Sequence, residues 1–333
     1  MNLSLIICLF LMKFQEMNEF GIRKIFAFGD SYADTGNLHQ MWQREPYGVS
    51  YRGKPSGRFS DGIIFTDYLA KFLGMKTPVS YHWRKSLKSR LHYGMNFAYG
   101  GAGIGQTLFA VPNITAQVDM FERLVNDGVY TKYDLQSSLI LVTLSGNDYD
   151  AANERGDSAL EILVTLVPTL IDQLSVELKR MANLGAKRIA VGTLPPLGCL
   201  PFLTQPLSYN SCNSTGNILS DIHNSALRDS LDKLNNETLS TNFSVVDLDN
   251  AFKTIFDNKG DSKGITSLYK PCCMGTDESS SCGSLNLNGE KMYTVCNSPQ
   301  TSFFWDSVHP TQAGWKAVFN ALQLTFQEIC SFS

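Results

Sequence analysis

Ser31, Asp306 and His309 are the residues of this 333-residue chain whose types and spacing could support nucleophilic catalysis. A serine hydroxyl is a weak nucleophile until a base takes its proton, and an imidazole is a better base when a carboxylate fixes its tautomer. Asp306 and His309 are separated by two residues in a segment followed by a proline, and Ser31 follows a Gly-Asp pair. The order Ser, Asp, His therefore offers a nucleophile, an orienting acid and a general base.

The stretch before Ser31 predicts a buried strand that runs into a sharp turn. Residues 25–28 are apolar and end at a glycine, as expected of a central strand where the backbone must turn. Asp30, Asp34 and Asn37 then place polar groups at the carboxyl end of this strand, where open α/β sheets bind their ligands. An ordinary turn that caps the next helix has a similar composition, so this segment alone does not assign a function.

Four separated segments, in the right order, resemble the sequence blocks of the plant GDSL esterase/lipase family, also called SGNH hydrolases. The first is residues 28–37, Phe-Gly-Asp-Ser-Tyr-Ala-Asp-Thr-Gly-Asn, and the last is residues 306–311, Asp-Ser-Val-His-Pro-Thr. The second is the glycine-rich stretch 93–105, and the third is Ser-Gly-Asn-Asp at residues 145–148. The resemblance covers about residues 24–328, and Tyr32 stands where the family name has leucine.

This resemblance implies a secreted serine hydrolase that cleaves carboxylic esters through an acyl-enzyme on Ser31. It also implies an oxyanion hole made by the backbone N–H groups of Ser31 and Gly100 and by the side chain of Asn147, with Gly101 as the alternative to Gly100. The substrates would be lipid acyl esters or acylated cell-wall polymers and metabolites. The chain has no Gly-x-Ser-x-Gly elbow, so the triad of the α/β-hydrolases does not apply.

Apart from the resemblance, two other functions fit the same residues. An acyltransferase would use the same acyl-enzyme with an alcohol in place of water. A non-catalytic binding or modifier protein would keep the fold, and its mark would be a lost triad residue, which this chain does not show.

The order of the predicted elements indicates an α/β fold. Apolar strands at 138–144 and 187–191 are separated by a helix over 158–184, which Pro168 should bend or split. A second helix at 217–239 and a strand at 242–249 follow, and strand-helix-strand units of this kind build parallel sheets. We predict a three-layer α/β/α sandwich with a mostly parallel central sheet, flavodoxin-like, in one domain over residues 22–333.

Charge and cysteine content limit the possible partners and cofactors. Lys and Arg total 28 against 31 Asp and Glu, so no basic surface for nucleic acid is expected. No cofactor or metal is expected either, since there is no Cys-x-x-Cys pair. Six cysteines in the second half of the chain should form disulfides whose pairing stays open, with Cys330 left over: Cys199, Cys212, Cys272, Cys273, Cys282 and Cys296.

The first residues favour secretion. An apolar run at residues 3–12 predicts a signal peptide within residues 1–21, although no Lys or Arg precedes it and a buried helix is the alternative. A secreted chain would offer four Asn-x-Ser/Thr sites for N-glycosylation, at Asn113, Asn213, Asn236 and Asn242. We expect a monomer without a transmembrane anchor.

Several further side chains receive weaker expectations. Arg58 is expected to form a structural salt bridge, with a substrate contact as the alternative. The remaining histidines are expected to be superficial or structural, namely His39, His82, His92 and His223. The aromatic residues are expected to be mainly core residues, with a place in the lining of an acyl pocket as the alternative for three of them in predicted loops near the site, namely Trp42, Tyr47 and Tyr51.

Overall fold

A six-stranded parallel sheet forms the centre of the molecule. The computed structural model describes residues 20–38, 45–260 and 264–332, so residues 1–19 of the predicted signal peptide, His39 and Trp42 lie outside the described residues. The strands of the sheet are β1 (Lys24–Gly29), β2 (Val79–Ser80), β3 (Gly94–Asn96), β4 (Ser138–Thr143), β5 (Arg188–Gly192) and β6 (Asn242–Val246).

The strand order is β2-β3-β1-β4-β5-β6, and every pairing in this sheet is parallel. β1 and β4 pair over six residues, from Lys24 opposite Ser138 to Gly29 opposite Thr143. Nearly all residues of both strands are buried, which explains why they appear in the sequence as continuous apolar runs and not as alternating ones. The loops after β1, β3 and β4 consequently emerge next to one another at the carboxyl edge of the sheet.

Helices cover both faces of the sheet. The helices are α1 (Val49–Arg52), α2 (Phe65–Phe72), α3 (Ile114–Asn126), α4 (Lys132–Gln136), α5 (Asn147–Arg155), α6 (Ala159–Asn183), α7 (Pro201–Thr204), α8 (Ser214–Glu237), α9 (Leu248–Asp257), α10 (Gln312–Ala321) and α11 (Gln323–Ser331). α3, α6 and α8 pack side by side in one layer, and α2, α9, α10 and α11 in the other. The predicted three-layer α/β/α sandwich with a parallel sheet is confirmed.

Three predicted elements differ in detail. The strand expected over 242–249 ends at Val246, because Asp247 accepts a hydrogen bond from the Asn250 N–H (3.2 Å) and starts α9. The helix expected over 158–184 is continuous, and its irregularity is a π turn at Ile162–Leu166 just before Pro168. The closing helix, which the apolar pattern predicts over residues 312–329, is interrupted at Leu322, between α10 and α11.

The predicted disulfides form, and their pairing is local. Cys199 bonds Cys212, Cys272 bonds Cys296, and Cys273 bonds Cys282, while Cys330 is a buried free thiol. The adjacent cysteines 272 and 273 thus bond to different partners. The last two bridges hold the loop that carries the small hairpin β7 (Cys273–Gly275) and β8 (Tyr293–Val295). Both bridges enclose segments with little regular structure, where cross-links replace an apolar core.

α6 is the helix among the described residues that is long and apolar enough to cross a bilayer. Its inner face is buried against the sandwich through Leu170, Leu174 and Leu178. Its first turns expose Leu160 and Val164 to solvent. The buried face is the one expected of a helix in the outer layer of an α/β protein.

Candidate active site

Ser31 lies on the turn that follows β1. At Gly29, where φ is 129°, a side chain would collide with the Thr143 carbonyl on β4, so the strand can end only at a glycine. The turn is closed by the Asp34 N–H, which donates to the Asp30 carbonyl at 2.9 Å. Because this turn directly follows β1, the Ser31 hydroxyl lies at the carboxyl edge of the sheet. The residue is only 6% exposed.

The segment after Trp305 brings Asp306 and His309 to this serine. The N–H groups of Val308 and His309 donate to Asp306 Oδ1 at 3.0 and 2.8 Å. His309 Nδ1 lies 2.8 Å from Asp306 Oδ2, and His309 Nε2 lies 2.8 Å from Ser31 Oγ. With its proton on Nδ1, the imidazole accepts the serine proton at Nε2. The three residues expected from the sequence thus meet in one hydrogen-bonded chain across 278 residues.

The carboxylate of this chain stays ionised although it is buried. Burial by itself would raise the pKa of Asp306, but His309, the Val308 N–H and the Tyr47 hydroxyl together hold the pKa below its ordinary value. A charged acid at this position fixes the imidazole tautomer and stabilises the imidazolium.

Gly100 follows β3 and lines the same cavity as Ser31, but its N–H already has a partner. It donates to Asp34 Oδ2 at 3.0 Å, so an oxyanion would have to replace Asp34 as its acceptor. A Cβ on Gly100 would overlap the ring of Phe59, which packs on His309 with ring centroids 5.2 Å apart. Gly101, with φ of 79°, lies next in the chain and also lines the cavity.

Asn147 is the first residue of α5, directly after the polar turn that ends β4. Its amide nitrogen lies 2.8 Å from the Ala102 carbonyl and 3.2 Å from Asp30 Oδ2. Asp30 Oδ2 also accepts from the Ser145 hydroxyl at 2.6 Å, and burial raises the pKa of Asp30 to about 6. Asp30 therefore ties the serine turn to the asparagine turn. The sequence placed Asp30 near the site but did not indicate this link.

A cavity of about 750 Å³ opens over the triad. One part of its lining is apolar and comes from the loop after β5 and from the helices α6, α7 and α8: Ile162, Leu197, Leu200, Leu203 and Leu219. Another part is polar or acidic and comes largely from the loop closed by the Cys273–Cys282 bridge: Gln205, Tyr209, Asp277, Glu278, Ser280 and Ser281. The lining of the cavity is therefore partly apolar and partly polar.

The apolar lining is held in place from behind. Ser220 and Asn224 of α8 accept hydrogen bonds from the N–H groups of Leu197 (2.9 Å) and Leu194 (2.8 Å). The Phe202 N–H donates to the Ser307 carbonyl at 3.1 Å, which joins this loop to the segment that carries His309. The leucines therefore line a preformed surface beside the triad.

Arg58 has the structural role expected from the sequence. Its guanidinium makes two bonds of 2.7 Å to the Asp67 carboxylate, and it lies 4.3 Å from the centre of the Tyr51 ring. The Tyr51 ring therefore packs on the Arg58 side of the ion pair. Tyr47 does line the cavity. Tyr32 packs against Trp315 with ring centroids 4.8 Å apart, so an aromatic ring fills the space beneath the site.

The other histidines that the structure describes, His82, His92 and His223, lie outside the triad. His223 is buried and bonds the Tyr149 hydroxyl through Nδ1 at 2.6 Å, and burial lowers the pKa of His223 to about 4. His82 and His92 lie in short 3₁₀ turns at one edge of the sheet. The expectation that these histidines are superficial or structural agrees with their positions.

The four sequon asparagines differ in how their side chains are used. Asn113 and Asn213 accept hydrogen bonds at the starts of α3 and α8, and Asn242 donates to the Ser244 hydroxyl. Asn236 lies in the last turn of α8 and is exposed. Exposure thus singles out Asn236 as the most accessible of the four.

Comparisons with known proteins identify the family of this chain. The family model described as GDSL-like lipase/acylhydrolase matches residues 25–322. The chain is 46% identical over 308 residues to GDSL esterase/lipase At5g03610 of Arabidopsis thaliana, covering 90% of this chain and 86% of that protein. It is 43% identical over 309 residues to GDSL esterase/lipase At3g09930 of the same plant, with 90% and 87% covered. A solved α/β hydrolase from the metagenome of Lake Arreo, LAE5, aligns over 93% of this chain and 97% of its own with a TM-score of 0.45 and 14% identity.

Proposed function

Because the chain belongs to the GDSL-like lipase/acylhydrolase family and is a carboxylic ester hydrolase, we propose that it cleaves esters through an acyl-enzyme on Ser31. The observation that carries this proposal is the hydrogen-bonded chain from Ser31 Oγ through His309 to Asp306, with both links at 2.8 Å. Asp306, His309 and Ser31 then have the roles of orienting acid, general base and nucleophile.

In the first half-reaction, Ser31 Oγ attacks the ester carbonyl carbon while His309 Nε2 takes the hydroxyl proton. Asp306 stabilises the imidazolium that forms. The tetrahedral intermediate collapses, the bond to the leaving alcohol breaks, and His309 returns the proton to that alcohol. In the second half-reaction, water attacks the acyl-enzyme with His309 as base, and the acid and the free Ser31 hydroxyl are released.

The oxyanion of the tetrahedral intermediate would be held by the Ser31 N–H, the Gly101 N–H and the Asn147 amide. Gly101 is proposed in place of Gly100, because the Gly100 N–H donates to Asp34. The Asn147 amide also has partners in the resting site, the Ala102 carbonyl at 2.8 Å and Asp30 Oδ2 at 3.2 Å. The longer of these two bonds would be exchanged for the oxyanion, while the shorter one keeps the amide in place. Donors held next to the developing charge in this way stabilise it.

The cavity supports a finer proposal about the substrate. An acyl chain would lie against the leucine-rich lining, and a hydroxylated alcohol portion would lie toward the polar lining. Lipid acyl esters and acylated cell-wall or metabolite esters both have this amphipathic character. An acyltransferase reaction would follow from the same acyl-enzyme if an acceptor alcohol replaced water, and product analysis with an added alcohol separates the two.

We also propose that the protein is secreted and glycosylated. Its three disulfides suit an oxidising compartment. Asn236 is the sequon we expect to carry a glycan, since its side chain is exposed. Mass spectrometry of the protein purified from the culture medium of plant cells, before and after glycan removal, tests both secretion and glycosylation.

Labelling with a fluorophosphonate probe tests the catalytic proposal. We expect the probe to modify only Ser31 in the folded protein and to leave Ser31→Ala unmodified. Ser175→Ala, on the far part of α6, is the matched control and should be labelled like the unmodified chain. A folded protein with no label would contradict the serine mechanism and favour the non-catalytic alternative. A label at another residue would contradict the assignment of Ser31 as the nucleophile.

A further inference from the structure

The hydroxyl of Tyr47 donates to the catalytic acid. It lies 2.7 Å from Asp306 Oδ2, across a separation of 259 residues. Asp306 Oδ2 is also the atom closest to His309 Nδ1, at 2.8 Å. The tyrosine is 2% exposed, so this hydrogen bond is shielded from water. The chain of contacts from Ser31 to Asp306 therefore extends one residue further.

The ring of Tyr47 is fixed by a second apolar cluster, separate from the main core. This cluster comprises Tyr47, Cys272, Cys273, Cys282, Tyr293 and Trp305. The N–H groups of Cys272 and Cys273 donate to the carbonyls of Phe304 (3.0 Å) and Trp305 (2.6 Å). The same disulfide-bonded loop thus holds both the tyrosine ring and the backbone that leads directly into Asp306.

We propose that Tyr47 is a positioning residue that fixes the Asp306 carboxylate against His309 during turnover. This inference rests on the proposed serine mechanism. Backbone N–H groups hold Asp306 Oδ1 from one side, and Tyr47 supplies the matching donor at Oδ2. Without it, Oδ2 is tied to His309 alone, and the carboxylate can rotate as the imidazole gains and loses its charge.

A positioning role predicts a change in the pH profile as well as in rate. The Tyr47 hydroxyl draws negative charge from Oδ2, so its loss leaves a carboxylate that holds the charged imidazole more tightly. Two other titratable groups act on this pair. Asp30 attracts charged His309, and the ring of Tyr32 lies 6.1 Å from the His309 ring. Both remain in place when only the Tyr47 hydroxyl is removed.

The test is Tyr47→Phe, which deletes the hydroxyl and keeps the ring in its cluster. We expect kcat to fall about tenfold with KM changed less than about twofold, because a hydrogen bond to a charged group is lost. The acid limb of the kcat/KM profile should move to higher pH by about half a unit. Tyr130→Phe, which removes a buried hydroxyl bonded to the Leu91 carbonyl, is the matched control and should leave both quantities unchanged.

A double-mutant cycle decides whether Tyr47 acts through Asp306. In an Asp306→Asn background, Tyr47→Phe should change the residual kcat less than about twofold, because the group it positions is already altered. Equal effects in both backgrounds, or an unchanged pH profile in Tyr47→Phe, would overturn the inference and leave the serine mechanism standing. Absence of probe labelling at Ser31 in the unmodified chain would overturn both.

Discussion

The buried ion pair between Arg58 and Asp67 is the structural feature whose removal we expect to affect stability most. The two side chains are 7% and 4% exposed and share two bonds of 2.7 Å. Arg58→Met keeps the apolar stem and removes the charge, which leaves a buried carboxylate with the Thr77 hydroxyl (2.7 Å) and the Ile64 N–H (3.0 Å) as donors. Breaking a buried pair in this way typically costs about 3 to 5 kcal/mol.

That loss should be visible in thermal unfolding. With an unfolding entropy of about 2 cal/mol/K per residue, a loss of about 4 kcal/mol lowers the midpoint of a chain of this size by about 6 °C. Activity per folded molecule should change less than about threefold, because Arg58 contacts no triad residue. A large loss of activity at full stability would instead favour the substrate contact considered for Arg58.

The sign of the pH dependence provides a second measurement. Burial would raise the pKa of Asp67, but Arg58 lowers it below the ordinary value. The ion pair therefore stabilises the fold above about pH 4, and this stabilisation is lost as the pH falls through the lowered pKa. In Arg58→Met, burial acts without its counter-charge and the carboxyl takes up a proton more readily. The stability deficit of the variant should therefore shrink between pH 8 and pH 5.

The double variant Arg58→Met/Asp67→Asn is the control for this reasoning. It removes the stranded charge and should recover more than half of the lost stability. A deficit below about 1 kcal/mol at pH 8, or a double variant no more stable than Arg58→Met, would show that the buried charge is not what matters.

Three further predictions concern the site and its supporting loops. Asn147→Ala should lower kcat by about 10²- to 10³-fold with little change in KM, measured by steady-state ester hydrolysis, since one oxyanion donor is lost; a change confined to KM would contradict that role. Leu203→Trp should reduce hydrolysis of p-nitrophenyl decanoate at least tenfold relative to hydrolysis of p-nitrophenyl acetate, while Leu207→Trp, outside the cavity lining, should not. The same decanoate-to-acetate ratio in both variants would refute the acyl-chain assignment. Replacing Cys199 and Cys212 by serine should cost about 3 kcal/mol in denaturant unfolding, because their bridge closes a loop of about 14 residues; unchanged stability would show that the loop is held without it.

The parts of the fold that sequence predicted well are those with strong local signals. β1, β4 and β5 are continuous apolar runs that end in glycine or polar turns, as parallel strands buried on both faces must be. β3 was missed, since Gly94–Asn96 is short and begins a glycine-rich stretch that favours a loop. The first two residues of α9, Leu248 and Asp249, were taken for the end of a strand, because the apolar pattern does not show that Asp247 caps a helix.

The site divides in the same way. Ser31, Asp306 and His309 were predicted from residue types whose chemistry is distinctive, and the family resemblance supplied Gly100 and Asn147. The contacts of Gly100 with Asp34 and of Tyr47 with Asp306 depend on packing between segments 66 and 259 residues apart. No local pattern encodes such distances, so these assignments needed the three-dimensional arrangement.

The order of the triad along the chain bears on how the enzyme matures during synthesis. Ser31 is synthesised early, and His309, the base of the proposed mechanism, follows 278 residues later. A domain generally folds as a unit, and a serine without its imidazole is a poor nucleophile. Under the proposed mechanism, incomplete chains and intermediates that lack the closing segment would therefore not react with esters. Fluorophosphonate reactivity would count finished molecules in a translation mixture, and its delay behind total protein would time the last docking step.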